Sequence, residues 1–102
     1  MNYNINNPSI VLVKADWCGH CNAFKPIWEQ LGGKIPKDQL NFVTLDSEVH
    51  KSTISRIKTL QGFPTIYFVP RKGGAMMYNG PRDYVSIVDY VNNALGRELI
   101  KI

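Results

Sequence analysis

The apolar run Ile10-Val11-Leu12-Val13 leads into Trp17-Cys18-Gly19-His20-Cys21, and a helical pattern of apolar side chains, Phe24, Ile27, Trp28 and Leu31, follows. These are the only two cysteines of the chain. A strand that ends in Cys-x-x-Cys at a helix start suggests a dithiol/disulfide redox centre. The first backbone N–H groups of a helix lack intrahelical partners and carry partial positive charge. A thiolate at Cys18 sits in that field, and a protonated His20 adds to it. The thiolate is the reactive species, so Cys18 is the expected nucleophile. Cys21, one turn on, is expected beneath it as the resolving thiol.

Two other uses of paired cysteines compete with this reading. With His20 and His50 they supply the four side chains of a Cys2His2 zinc site, but such sites bring their ligands in two close pairs, and the two histidines are far apart in sequence. The other is a purely structural disulfide. So small a loop constrains the unfolded chain weakly, by roughly 2 kcal/mol. The expectation is therefore no metal, and no cofactor beyond the Cys18–Cys21 disulfide, since the electrons move through sulfur.

At 102 residues there is room for one core and not two, so residues 1–102 are expected to form a single domain. An apolar fraction of 44% and a charged fraction of 20% fit a soluble globular protein. The net charge of +4 comes from basic residues scattered between Lys14 and Lys101. No run of them interleaves with aromatics, which argues against nucleic-acid binding. No apolar stretch approaches a membrane span. Met1–Asn7 carries no positive side chain, and Ile10–Val13 is too short for the core of a signal peptide. Arg97-Glu98-Leu99-Ile100-Lys101-Ile102 is not an ER-retention signal. With no address visible, the cytoplasm is the default expectation.

Along the chain, residues 1–8 are polar and Asn-rich and read as a loosely held lead-in. Ser9–Lys14 is a short strand buried on both faces. Cys18 to about Gly32 is a helix that Pro26 kinks and Gly32-Gly33 ends. After a turn at Pro36-Lys37-Asp38, Leu40–Leu45 is the second strand. Asp46-Ser47 caps a helix over Glu48–Leu60, with Val49, Ile54 and Ile57 facing inward and His50 on the solvated face. Gly62-Phe63-Pro64-Thr65 opens the strand Thr65–Val69, and Pro70 closes it. Arg71-Lys72-Gly73-Gly74 is a hairpin turn with Ala75–Tyr78 as the antiparallel return. The last helix, Asp83–Leu95, aligns Tyr84, Ile87, Val88, Val91 and Leu95 on one face and stops at Gly96. The element order is β-α-β-α-β-β-α.

With that order in place, the chain resembles the thioredoxin superfamily, and within it the CGHC catalytic (a-type) domains of protein disulfide isomerases. The resemblance covers about Ile10–Leu95. It rests on Trp17-Cys18-Gly19-His20-Cys21, on Pro26 in the following helix, on Gly62-Phe63-Pro64-Thr65, and on Tyr78-Asn79-Gly80-Pro81-Arg82 before the last helix. Cys-Gly-His-Cys is the isomerase form of the motif; thioredoxins usually carry Cys-Gly-Pro-Cys. The resemblance implies an α/β thioredoxin-like fold with a mixed four-stranded sheet and three helices. It implies a cis bond before Pro64, packed beside the disulfide, and at Phe63 a backbone offered to an extended substrate segment by strand addition. Trp17 and Gly19 are the further residues expected on the substrate-facing surface.

The implied activity is thiol–disulfide exchange with protein thiols and disulfides. Cys18 attacks, Cys21 resolves, and His20 favours the thiolate. Reference potentials run from about −270 mV for thioredoxin to about −180 mV for protein disulfide isomerase, and this chain is expected toward the second. A thiol-dependent binding or chaperone module, and a redox relay for one dedicated partner, are the alternatives. The chain departs from the family in three places. The buried acid of the strand before the motif falls on Leu12 when counted without gaps, or on Lys14 with a short deletion. The lysine that often follows the second cysteine is Asn22. Seventeen residues precede Cys18, too few for an additional N-terminal strand and crossover helix, so the fold is expected to be trimmed there. Leu40–Leu45 is then a sheet edge, and a monomer with weak dimerisation through that edge is expected.

Overall fold

The computed structural model describes residues 3–102, so Met1 and Asn2 of the lead-in lie outside the described residues. The elements are β1 (Ser9–Lys14), α1 (Gly19–Lys34), β2 (Asn41–Asp46), α2 (Lys51–Ile54), β3 (Thr65–Val69), β4 (Met76–Met77) and α3 (Tyr84–Leu95). The sheet order is β2-β1-β3-β4. β1 runs parallel to β2, with Leu12 opposite Thr44 and Lys14 opposite Asp46. It runs antiparallel to β3, and β3 is antiparallel to β4. Parallel neighbours need a crossover, and α1 supplies it. Among the described residues β2 pairs with β1 alone and forms the expected edge.

β1 lies inside the sheet and is buried on both faces, which is why it reads as an unbroken apolar run. Ile10 and Leu12 face the main core with Ile66 and Phe68 of β3. Phe24, Trp28 and Leu31 of α1, and Ile87, Val88 and Val91 of α3, close over that side. Val13 and Tyr67 are buried outside that cluster, and the Tyr67 hydroxyl meets Thr59 Oγ1 at 2.9 Å. Ile100, past the last helix, is also fully buried. Asn92 holds it there, accepting from the Leu99 and Ile100 N–H groups and donating to the Ile100 carbonyl.

Several boundaries differ from the sequence reading, each for a local reason. α1 does not begin at Cys18, which is its N-cap, nor end at Gly32-Gly33. It continues to Lys34 and leaves the helix at Ile35 in an extended conformation. Gly32 is a packing residue: a Cβ built on it would meet Cε2 of Phe42 at 2.6 Å, whereas one on Gly33 would meet nothing within 4 Å. β2 begins at Asn41 and reaches Asp46, and β4 is shorter than Ala75–Tyr78. Asp83 caps α3 from outside, accepting from the Ser86 N–H at 2.8 Å.

The helix expected over Glu48–Leu60 shrinks to the single turn of α2. The Asp46 carboxylate accepts from the N–H groups of Glu48 and Val49 and winds a turn ahead of it. Ser52, Thr53, Ile54 and Ser55 are weak helix formers, and the Ser55 hydroxyl donates to the Ser52 carbonyl instead of leaving the backbone to itself. Val49 is consequently 75% exposed and not inward-facing, while Ile54 and Ile57 are half-buried.

The described part of the lead-in is not loosely held. Asn41 is only 2% exposed, and a buried amide needs partners. Its side chain accepts from the Asn4 N–H at 2.8 Å and donates to the Asn4 carbonyl at 2.7 Å. Asn7 donates to the Asp38 carbonyl, and Arg71 to the Asn6 carbonyl. The Asn-rich composition thus ties the lead-in across the start of β2.

Candidate active site

Cys18 sits where β1 has ended and α1 begins. Its N–H donates to the Ala15 carbonyl at 3.1 Å, which closes the turn between them. Its backbone is extended, φ −91° and ψ 120°, no side chain caps the helix start, and no acid lies in the first turn. The thiol therefore takes the place a capping oxygen usually takes. It is held below its ordinary pKa, first by the Cys21 backbone N–H, then by the Cys21 thiol, the His20 N–H and the charge of Arg82, against an opposing contribution from desolvation. His20 is thus seen to act on Cys18 through its backbone; its side chain is exposed on the first turn.

Cys21 is 6% exposed, and burial pushes its thiol up, with the neighbouring Cys18 adding to the rise. Both thiols are free. The two cysteines, equivalent in sequence, are thereby split into an accessible acidic thiol and a buried one that resists ionisation.

The Cys18 thiol donates to the Phe63 carbonyl at 3.5 Å. The Phe63–Pro64 peptide bond is cis, and Pro64 is buried. Trp17 is 69% exposed and meets the Phe63 ring edge-on, with centroids 5.7 Å apart. Trp17, Cys18 and Phe63, drawn from two distant stretches of sequence, therefore meet, with Pro64 buried next to Phe63. Gly19 and His20 lie exposed beside them.

Behind Cys21 is a cavity of about 270 Å³, walled by Leu12, Lys14, Asp16, Trp28 and Thr44 among others. Lys14 bridges Asp16 and Asp46, the latter at 2.9 Å. That ammonium first, and then the Glu48 N–H, holds the Asp46 carboxyl at about 2. The cationic role of Lys14 beside Cys21 escaped the sequence reading, which names that position only as an alternative place for the family's acid. Arg82 escaped it too, visible only as the end of a turn motif. Among the described residues no three His, Cys, Asp or Glu side chains are grouped as metal ligands. His50 instead accepts the Asp46 N–H at Nδ1, 2.9 Å away.

A family model described as Thioredoxin matches residues 2–93. Over 93 residues the chain is 34% identical to the "Probable protein disulfide-isomerase ER-60" of Schistosoma mansoni, covering 89% of this chain and 19% of that protein. Over 89 residues it is 39% identical to "Protein disulfide isomerase-like 2-3" of Oryza sativa subsp. japonica, covering 84% of this chain and 20% of that one. The chain thus spans about a fifth of the length of the curated relatives it matches. Its fold matches the J-Trx1 fragment of ERdj5 with a TM-score of 0.79 at 19% identity, over 91% of this chain and 45% of that one. The cytoplasmic default does not stand: the relative ER-60 is a protein of the endoplasmic reticulum. That default rested only on seeing no address in these residues, which is no observation about compartment.

Proposed function

The chain belongs to the thioredoxin family, and we propose that it is a thiol–disulfide oxidoreductase of the protein-disulfide-isomerase kind, acting on the cysteines of other proteins through Cys18 and Cys21. The observation that carries this is the split between the two thiols. Cys18, lowered and partly exposed, stands at the start of α1 beside the Phe63 carbonyl, and Cys21, raised and buried, stands directly behind it. One thiol is equipped to attack and the other to wait.

In the reductive direction the Cys18 thiolate attacks a substrate disulfide. A Cys18–substrate bond forms, the substrate S–S bond breaks, and the departing thiolate takes up a proton. Cys21 then loses its proton and attacks Cys18 Sγ. The mixed disulfide breaks, the Cys18–Cys21 disulfide forms, and the second substrate thiol is released. Two electrons pass from the protein to the substrate, and the reverse sequence oxidises a substrate dithiol. No other cofactor enters. Phe63 and Pro64 present backbone to an extended segment, and Trp17 and Gly19 leave its approach open. His20 supports the thiolate and so the oxidising potential. The unit that acts is the single domain 1–102, working as a monomer.

Insulin reduction and dithiol-peptide oxidation test the reading. Both are expected in the wild type and lost in Cys18→Ser. Cys21→Ser is expected to accumulate mixed disulfides with substrate proteins. Turnover that survives Cys18→Ser would overturn it.

A further inference from the structure

A second depression, about 360 Å³, runs between the Gln61–Ile66 segment and β4 with the turn after it. Phe63 and Pro64 form its near wall, next to the Cys18 thiol. Arg82 is the one charged side chain that lines it. A turn fixes that position. The Tyr78 hydroxyl donates to the Pro81 carbonyl, and the ring lies so close over Gly80 that a Cβ there would meet the hydroxyl at 2.5 Å.

The arginine has no carboxylate of its own. It takes part in none of the ion pairs among the described residues. The adjacent Asp83 makes no ion pair with it and instead accepts from the N–H and the hydroxyl of Ser86 at the start of α3. Gln61 and Asn79 are the polar neighbours in the groove, and neither carries a compensating charge. A planar guanidinium that makes no ion pair, in the groove walled by Phe63 and Pro64, matches a planar carboxylate with two parallel hydrogen bonds.

We propose that this groove gives the chain a preference for disulfides flanked by a carboxylate, which Arg82 receives while Cys18 attacks the sulfur. The proposal rests on the oxidoreductase reading and adds the substrate class to it. The carboxylate has two possible sources, an acidic side chain near the reacting cysteine or the free end of a peptide. The chemistry is the exchange step already written: Cys18 Sγ bonds to the substrate sulfur, the other sulfur leaves with the electron pair, and it is then protonated. Arg82 takes no proton and no electron; it holds the substrate.

The test uses short cysteine peptides activated as neutral 2-pyridyl disulfides, reacted with the reduced full chain under single-turnover conditions. One arm compares Glu, Gln and Lys beside the cysteine in capped peptides. The other compares a free C-terminal carboxylate with its amide. A capped cysteine with no neighbours serves as the neutral reference. An exposed pair of this kind is worth a rate ratio of about two- to five-fold for Glu over Gln, with Lys slower still. The ratio is expected to shrink at high salt and to fall to about one in Arg82→Gln, with Arg82→Lys in between. Arg82 also eases the ionisation of Cys18, but that effect is common to all peptides and cancels in the ratio.

A preference in either arm that vanishes in Arg82→Gln supports the proposal and names the source. Equal rates in both arms, or a preference that survives in Arg82→Gln, overturn it. Should the neutral reference react no faster than with free cysteine, the oxidoreductase reading itself fails, which is a different result from a reactive thiol with no preference.

Discussion

Gly32 and Gly33 are adjacent in the last turn of α1 and differ in one respect, the space above them. Replacing either with alanine removes backbone freedom from the unfolded chain, a gain of up to about 1 kcal/mol. At Gly33 nothing opposes it, since a Cβ would meet no atom within 4 Å. At Gly32 the new methyl would stand 2.6 Å from the Phe42 ring. The ring must retreat by about 1 Å to reach an ordinary carbon–carbon separation. It is not free to do so without loss. Phe42 is stacked on Trp28 with centroids 4.3 Å apart, and the Lys37 ammonium lies 5.7 Å from its ring. Trp28 is itself pinned by its Nε1–H donating to Thr44 Oγ1 at 2.8 Å. Overpacking of this sort costs about 1–3 kcal/mol. Because the helix gain is shared, the difference between the two variants isolates that cost. A domain of this size shifts by roughly 4–8 °C per kcal/mol, so Gly32→Ala is expected to melt at least about 4 °C below Gly33→Ala. Thermal melts followed by circular dichroism, run side by side, measure it. Equal melting temperatures would show that Phe42 swings aside freely and that the close approach is not why glycine stands at position 32.

Alkylation of the reduced protein at mildly acidic pH is expected to label Cys18 first, because its thiol is lowered and that of Cys21 raised; mass mapping that finds Cys21 first would reverse the assignment. His20→Pro is expected to make the protein more reducing by a few tens of mV, where about 30 mV corresponds to 1.4 kcal/mol for a two-electron couple, as read by equilibration with glutathione. Asp46 has a folded pKa of about 2, below its unfolded value of about 3.9, so its contribution to stability is full above the unfolded value and is lost as the pH falls through the folded one. Urea midpoints across that window are expected to drop less in Lys14→Met than in the wild type, and parallel curves would rule out Lys14 as the cause of the shift. Leu12→Glu is expected to speed the decay of mixed disulfides in stopped-flow traces at some expense of stability, since the new carboxyl lies buried beside the Cys21 cavity; unchanged decay would mean proton removal from Cys21 does not limit the step.

Elements were legible where pattern and terminators agreed. β3 is legible to the residue because Pro64 and Pro70 bracket a β-branched and aromatic run, and the end of α3 because its apolar stripe is closed by Gly96, whose φ of 75° suits glycine; its start falls one residue past the expected Asp83, which is the cap. α2 was misjudged because its end is decided by side chains bonding to backbone, which apolar spacing does not record. Gly32 was misjudged because a glycine near a helix end signals a stop only when its own backbone turns left-handed. Here it stays helical, and the reason for it stands on another strand, at Phe42. Asn41 and Ile100 carry the same lesson. One is a polar residue buried by partners from the lead-in, the other an apolar residue in a tail with no periodicity. Only the folded chain brings their partners to them.

The wall beneath Cys21 shows where the reading of the site stopped. The sequence puts the family's buried acid at Leu12 by an ungapped count, with Lys14 as the place a short deletion would give, and pattern alone does not test that ranking. Ranking them depends on the register of β1 against β2. That register puts Leu12 opposite Thr44, 4% exposed and packed in the core. It puts Lys14 opposite Asp46, at the strand end, where the ammonium reaches two carboxylates and solvent. The charge that reaches Cys21 from β1 is therefore a cation, opposite in sign to the family's acid. A buried acid would help by accepting the proton of Cys21. The Lys14 cation acts on the other form, lowering the cost of the thiolate once the proton has gone, and Asp16 and Asp46 temper how far it does so. The proton then has to leave through the cavity to water, so the rate of the resolving step should follow solvent pH more closely than it would with an acid at position 12.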